Sequence, residues 1–125
     1  MDRWDDEERR LQVRRFLRDC KEWIGQGFFY FKGTHQKNLL FLSELGWVQA
    51  NLMDRILSLE VENYSQGPLE DTFHPGDVYW VFGKRMEEHE FYIKLKICTP
   101  PQGGEFALCI SFHHAEYPME YPFQA

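Results

Sequence analysis

The sequence predicts an α+β fold, with N-terminal helices packed on one face of a small antiparallel β-sheet. Two observations carry this expectation. Apolar residues recur at helical spacing early in the chain, through Val13, Phe16, Leu17, Cys20, Trp23 and Ile24. After Asp77 the period changes to two, as in half-buried strands. Helices first and strands later, with no internal repeat or linker, make one domain over residues 1–125. Residues 115–125 form an extended C-terminal tail of that domain.

Asp5, Asp6, Glu7 and Glu8 crowd the start of the first helix, where the helix dipole favours anions, and Gly25 is placed at its end. Arg9, Arg10, Arg14, Arg15 and Arg18 lie off its apolar stripe. They read either as a solvated basic face or as a contact for phosphate or an acidic partner. "FFYF" (Phe28–Phe31) reads as a short strand. Thr34 is suited to cap a second helix reaching Leu45, which Gly46 stops. "VQANLMDRILSL" gives a third helix with Leu52, Ile56 and Leu59 on one side. "ENYSQGPLEDTFHPGD" (Glu62–Asp77) is rich in Gly, Pro and polar residues and reads as mostly loop. "VYWVFGKR", "EFYIKLKIC" and "EFALCISFH" then read as three strands joined by hairpin loops.

Composition narrows the function. Aromatics make up 17% of the 125 residues, too many for a disordered chain. No apolar run approaches membrane-spanning length, and the charged N-terminus does not read as a signal peptide. The three cysteines fit reduced thiols in a cytoplasmic protein. Net charge is −6, and the excess of acid lies wholly after residue 60. That disfavours a general nucleic-acid binder but leaves room for a local basic site.

Strand parity supplies such a site. Phe91, Ile93, Leu95 and Ile97 form the inward set of the middle strand, so Glu90, Tyr92, Lys94 and Lys96 face out. In the last strand Phe106, Leu108, Ile110 and Phe112 read as inward; Ala107, Cys109, Ser111 and His113 then face out. The expected pairing sets Lys96 against Ala107, Lys94 against Cys109, Tyr92 against Ser111 and Glu90 against His113. Gly83 falls near Tyr92 and leaves space for a ligand. One exposed face thus collects Tyr92, Lys94, Lys96, Arg85, Ser111 and His113. Adjacent His113 and His114 point to opposite faces and make poor co-ligands, so neither a metal nor another cofactor is expected. Metal-free RNA cleavage needs a base, an acid and cations for the phosphate. His113, Tyr92 and Lys94 are the catalytic candidates, and Lys96, Arg85, Lys84 and Ser111 the RNA-binding ones. An ordinary solvent-facing sheet surface accounts for the same residues.

The stretches "YIKLKI" and "CISFH", with "SELGW…ILSLEVENYSQ" before them, resemble the MqsR-family toxins of type II toxin–antitoxin systems. The resemblance runs from about Phe28 to His113. It implies a RelE-like ribonuclease fold, mRNA cleavage without metal, and neutralisation by a cognate antitoxin. Tyr92 matches the family's active-site tyrosine, and His113 falls where the family has its catalytic lysine. Ser65, beside Tyr64, stands where the family has a lysine. A non-catalytic protein-binding or regulatory module on the same fold is the alternative. The tail "EYPMEYPF" reads either as a strap packing Tyr117, Met119, Tyr121 and Phe123 over an open sheet edge or apolar patch, or as a docking motif.

Overall fold

The apolar stripe of the first helix decides where the sheet packs. A computed structural model of the chain describes residues 3–32, 40, 43–44, 46–47, 49–86 and 88–124. Helix α1 spans Arg3–Gly25 and buries Val13, Phe16, Leu17, Cys20 and Ile24. Phe16 stacks on Trp80 and Phe82 of the sheet at 5.3 and 6.0 Å. The helix ends at Gly25 as expected, and Gly27 makes the turn that follows. Gly27 takes φ 86°, its N–H donates to Ile24, and the Phe28 N–H donates to Trp23. Such a turn needs a left-handed residue, which glycine adopts without penalty. Trp23 meets Phe28 edge-on across it.

Strand β1 (Phe29–Phe31) follows, and helix α2 (Gln49–Leu57) buries Leu52 and Ile56 in the same core. The expected helix from Thr34 to Leu45 lies largely outside the described residues. A short 3₁₀ turn at Val61–Asn63 leads into β2 (Tyr64–Glu70). Strands β3 (Val78–Met86), β4 (His89–Cys98) and β5 (Phe106–His114) complete a five-stranded sheet of order β1-β5-β4-β3-β2. The fold class is α+β, as expected. The sheet is mixed rather than purely antiparallel, because β1 runs parallel to β5.

Two expectations are corrected. Tyr64–Glu70 is a strand, not loop. Its pairing with β3 shifts twice, between Tyr64 and Gln66 and between Gln66 and Leu69, so no alternation survives to announce it. Gly67 passes so close that a side-chain carbon there would lie 3.1 Å from the Trp80 Cα. Arg9 and Tyr64 both donate to the Gly67 carbonyl, each at 2.6 Å.

The second correction concerns β5. Tyr92 pairs with His113 and Lys94 with Ser111, yet Leu95 pairs with Cys109. Ile110 is therefore an extra residue, and the strand changes parity there. Phe112, Cys109 and Ala107 all reach the core and are fully buried. Leu108 and Ile110 turn to the outward face instead. All four expected pairings are replaced: Tyr92 meets His113 rather than Ser111, Lys94 meets Ser111 rather than Cys109, Lys96 meets Leu108 rather than Ala107, and the Glu90 carbonyl accepts from Ala115 rather than facing His113.

The tail behaves as a strap. Its Ala115 N–H donates to the Glu90 carbonyl, and the Met119 N–H and Tyr121 hydroxyl reach the two Glu90 carboxylate oxygens. Gly83 does pair with Tyr92, but Tyr121 and Met119 fill the space its missing side chain leaves. Phe123 then enters the core, stacking on Tyr64 at 5.2 Å with the Arg10 guanidinium 4.8 Å from its ring centre.

Phe123→Ala removes that anchor and is expected to cost about 3 kcal/mol, by analogy with other buried Phe truncations. Urea denaturation measures it; a loss under about 0.5 kcal/mol would show the strap to be ornamental to stability.

Candidate functional site

Antiparallel pairing sets Tyr92 and His113 side by side on the face away from α1. Their rings stack with centroids 5.2 Å apart and planes 12° from parallel. His113 Nδ1 lies 2.8 Å from the His114 carbonyl oxygen. A carbonyl only accepts, so Nδ1 carries the hydrogen and the neutral ring keeps its lone pair on Nε2. His114 points the other way, towards Phe91 and His89 at 5.7 and 5.0 Å.

Burial pushes the Tyr92 hydroxyl up to about 12, and nearby Tyr117, Tyr79 and Glu116 add to the shift. Tyr92 therefore stays protonated near neutrality and acts as a hydrogen-bond donor. Lys94 lies two residues along the same face, opposite the buried Ser111. Its ammonium sits 4.1 Å from the Tyr79 ring centre, a cation–π contact. Burial lowers its pKa; Asp71 opposes the shift and Lys32 reinforces it.

Lys96 shares the face but is spoken for. Its side chain is 3% exposed, and its ammonium is 2.8 Å from Asp71 Oδ2 and 2.9 Å from Asp77 Oδ2. Burial alone would lower the Lys96 pKa, but the two carboxylates outweigh it and raise it. The same clamp fixes the Asp71–Asp77 loop, which the Asp71 N–H closes onto the Asp77 carbonyl at 3.0 Å.

The expected set is thus split. Tyr92, His113, Lys94 and Ser111 come together. Lys96 is sequestered in the clamp. Lys84 falls to the helix-bearing side, where its ammonium donates to Ser58. Arg85, with its Nε 3.9 Å from Glu90, lines a separate cavity of about 430 Å³ together with Lys84 and the tail residues Met119 and Tyr121.

Several site residues were not foreseen. Beside Lys94 opens a cavity of about 310 Å³ lined by Lys32, His74, Tyr79, Leu108 and Ile110 among others. Leu108 and Ile110 reach it only because of the bulge. His74 is held by its Nδ1, 3.3 Å from Asp71 Oδ2. "DTFHPGD" carried a signal for this loop: aspartate followed by Pro-Gly is turn chemistry, and Asp71 Oδ1 accepts from the Phe73 N–H. Burial pushes the Cys20 thiol up to about 12, that of Cys109 well above its ordinary value and that of half-buried Cys98 upward, so none is an activated thiolate. Among the described residues no group of three or more His, Cys, Asp or Glu is arranged to hold a metal, and no helix is long and apolar enough to cross a membrane.

Compared with known proteins, the chain matches no protein-family model, no curated protein and no solved structure.

Asp71 gives a direct test of the clamp. The Lys96 hydrogen bond, above all, pulls its carboxyl from an ordinary 3.8 down to about 2. A depressed carboxyl stabilises the fold fully above its ordinary value, and that contribution disappears as pH falls through about 2. An NMR titration should place the Asp71 midpoint near that lower value and move it upward in Lys96→Met. A wild-type midpoint at the ordinary value would refute the clamp.

Proposed function

We propose that the outward sheet face is a metal-independent RNA-cleaving site, and that the chain is a toxin of the MqsR type held in check by a cognate antitoxin. The stack of Tyr92 on His113, with Lys94 on the same face, carries this reading. The supporting detail is the tautomer: with Nδ1 tied to a carbonyl, Nε2 is the basic atom of His113.

The chemistry follows from those groups. His113 Nε2 takes the proton of a ribose 2′-hydroxyl. The 2′-oxygen attacks phosphorus, the bond to the 5′-oxygen breaks, and a 2′,3′-cyclic phosphate forms. The Tyr92 phenol, at about 12, is still more acidic than the alcohol released and can protonate the departing oxygen. Lys94 offsets the charge that builds on the phosphate. Ser111 is buried opposite Lys94, and its burial removes it from RNA contact.

One observation favours the alternative of a non-catalytic protein-binding module. Tyr117 of the strap lies edge-on to Tyr92 at 6.4 Å, which narrows access to the stack.

The purified chain is expected to cut single-stranded RNA in excess EDTA and to leave 2′,3′-cyclic phosphate ends. His113→Ala should slow cleavage by about 10²–10⁴-fold, the usual range for a general base, with circular dichroism unchanged. Intact RNA together with a stably co-purifying protein would favour the binding module. Cleavage undiminished in His113→Ala would remove His113 from the mechanism.

A further inference from the structure

The bulge in β5 does more than bury Cys109. By turning Leu108 and Ile110 outward it lays an apolar floor under the cavity beside Lys94. At about 310 Å³ the cavity is at the small end of ligand pockets, which run from ~300 to 1,000 Å³. It suits one small molecule or one splayed-out residue of a polymer.

Its polar groups are specific. Three lysines line it: Lys96, already held by Asp71 and Asp77, and the two cations Lys32 and Lys94. Burial lowers the Lys94 pKa, Asp71 opposes that shift and Lys32 reinforces it, so a phosphate beside Lys94 favours its charged form. The carboxylate of Asp71 is hydrogen-bonded to Lys96 and His74 and acts on Lys94 only through its field. Glu70, the last residue of β2, is the other acid of the lining. His74 is oriented by Asp71 through Nδ1; a carboxylate accepts, so Nε2 is the ring atom left to meet a ligand hydroxyl or amide. On the same loop Phe73 is 88% exposed, an aromatic face with room for a stacked ring.

An apolar floor, an exposed aromatic, two cations and one oriented histidine match a planar ring joined to a phosphate. We infer that this cavity binds a single nucleotide, its base over Leu108 and Ile110 and against Phe73, its phosphate between Lys32 and Lys94. As a base-recognition pocket next to the Tyr92–His113 stack it rests on the RNA-cleaving reading, since Lys94 belongs to both. Nucleotides reach it either free or as part of single-stranded RNA, and the shared chemistry is the nucleoside phosphate.

The test titrates the full chain with the four ribonucleoside 5′-monophosphates, the four nucleosides and inorganic phosphate, followed by calorimetry and amide NMR. At least one monophosphate is expected to bind about tenfold more tightly than its nucleoside and than phosphate alone, because ring and charge are read together. Shifts should centre on His74, Leu108 and Ile110. Lys32→Met, at an exposed position, should weaken that binding by about tenfold with the melting curve unchanged. His74→Ala should weaken it too. A short single-stranded RNA binding far better than any monophosphate would mark the polymer as the source of the nucleotide. Monophosphates binding no better than phosphate, shifts centred elsewhere, or affinity unmoved by Lys32→Met would each overturn the pocket. RNA cleavage is followed in parallel. Cleavage with no nucleotide binding sinks the pocket alone, and nucleotide binding with no cleavage sinks the RNA-cleaving reading alone.

Discussion

One extra residue in one strand governs this molecule. Ile110 breaks the pairing of β5 with β4, and everything on either side takes its position from that break. On the His113 side the register sets Tyr92 against His113 and Lys94 against Ser111. On the Phe106 side it turns Cys109 and Ala107 into the core, where β1 pairs alongside them. A regular strand cannot meet both demands, because alternation would send either Phe112 or Cys109 outward. The bulge resolves the conflict and leaves Leu108 and Ile110 on the outward face as its by-product.

Three acids of the acid-rich second half have structural roles within the fold. Asp71 and Asp77 grip Lys96, and Glu90 receives both Met119 and Tyr121 of the strap. These carboxylates are structural partners, so the charge balance of the whole chain says little about the face that carries Lys94. Two neighbouring lysines of one strand, Lys94 and Lys96, thereby diverge in role. One is buried between carboxylates, where removing a partner would strand a charge, and the other lies at the edge of a cavity.

Much of this was legible in the residues. The α1 stripe, the three strands after Asp77 and the outward position of Tyr92, Lys94 and His113 all follow from periodicity, and each is found. What stayed hidden has physical causes. Phe106, Leu108, Ile110 and Phe112 alternate without a flaw, so nothing in the sequence marks the bulge that divides them between faces. Tyr64–Glu70 pairs irregularly and carries Gly67 and Pro68, so it shows no strand signature. Lys96 looks like Lys94 until the loop aspartates fold onto it. Gly83 promised open space, which the chain's own Tyr121 and Met119 occupy. Each miss comes from a contact between residues far apart in the chain, where local pattern carries no information.

The functional reading and the cavity beside it both presuppose the broken register. Cross-strand NOEs between β4 and β5 measure it directly. Contacts joining Tyr92 to His113 and Leu95 to Cys109, with Ile110 lacking an opposite residue, are the expected result. An uninterrupted ladder, with Lys94 facing Cys109 and Lys96 facing Ala107, would contradict it and take the Tyr92–His113 stack away.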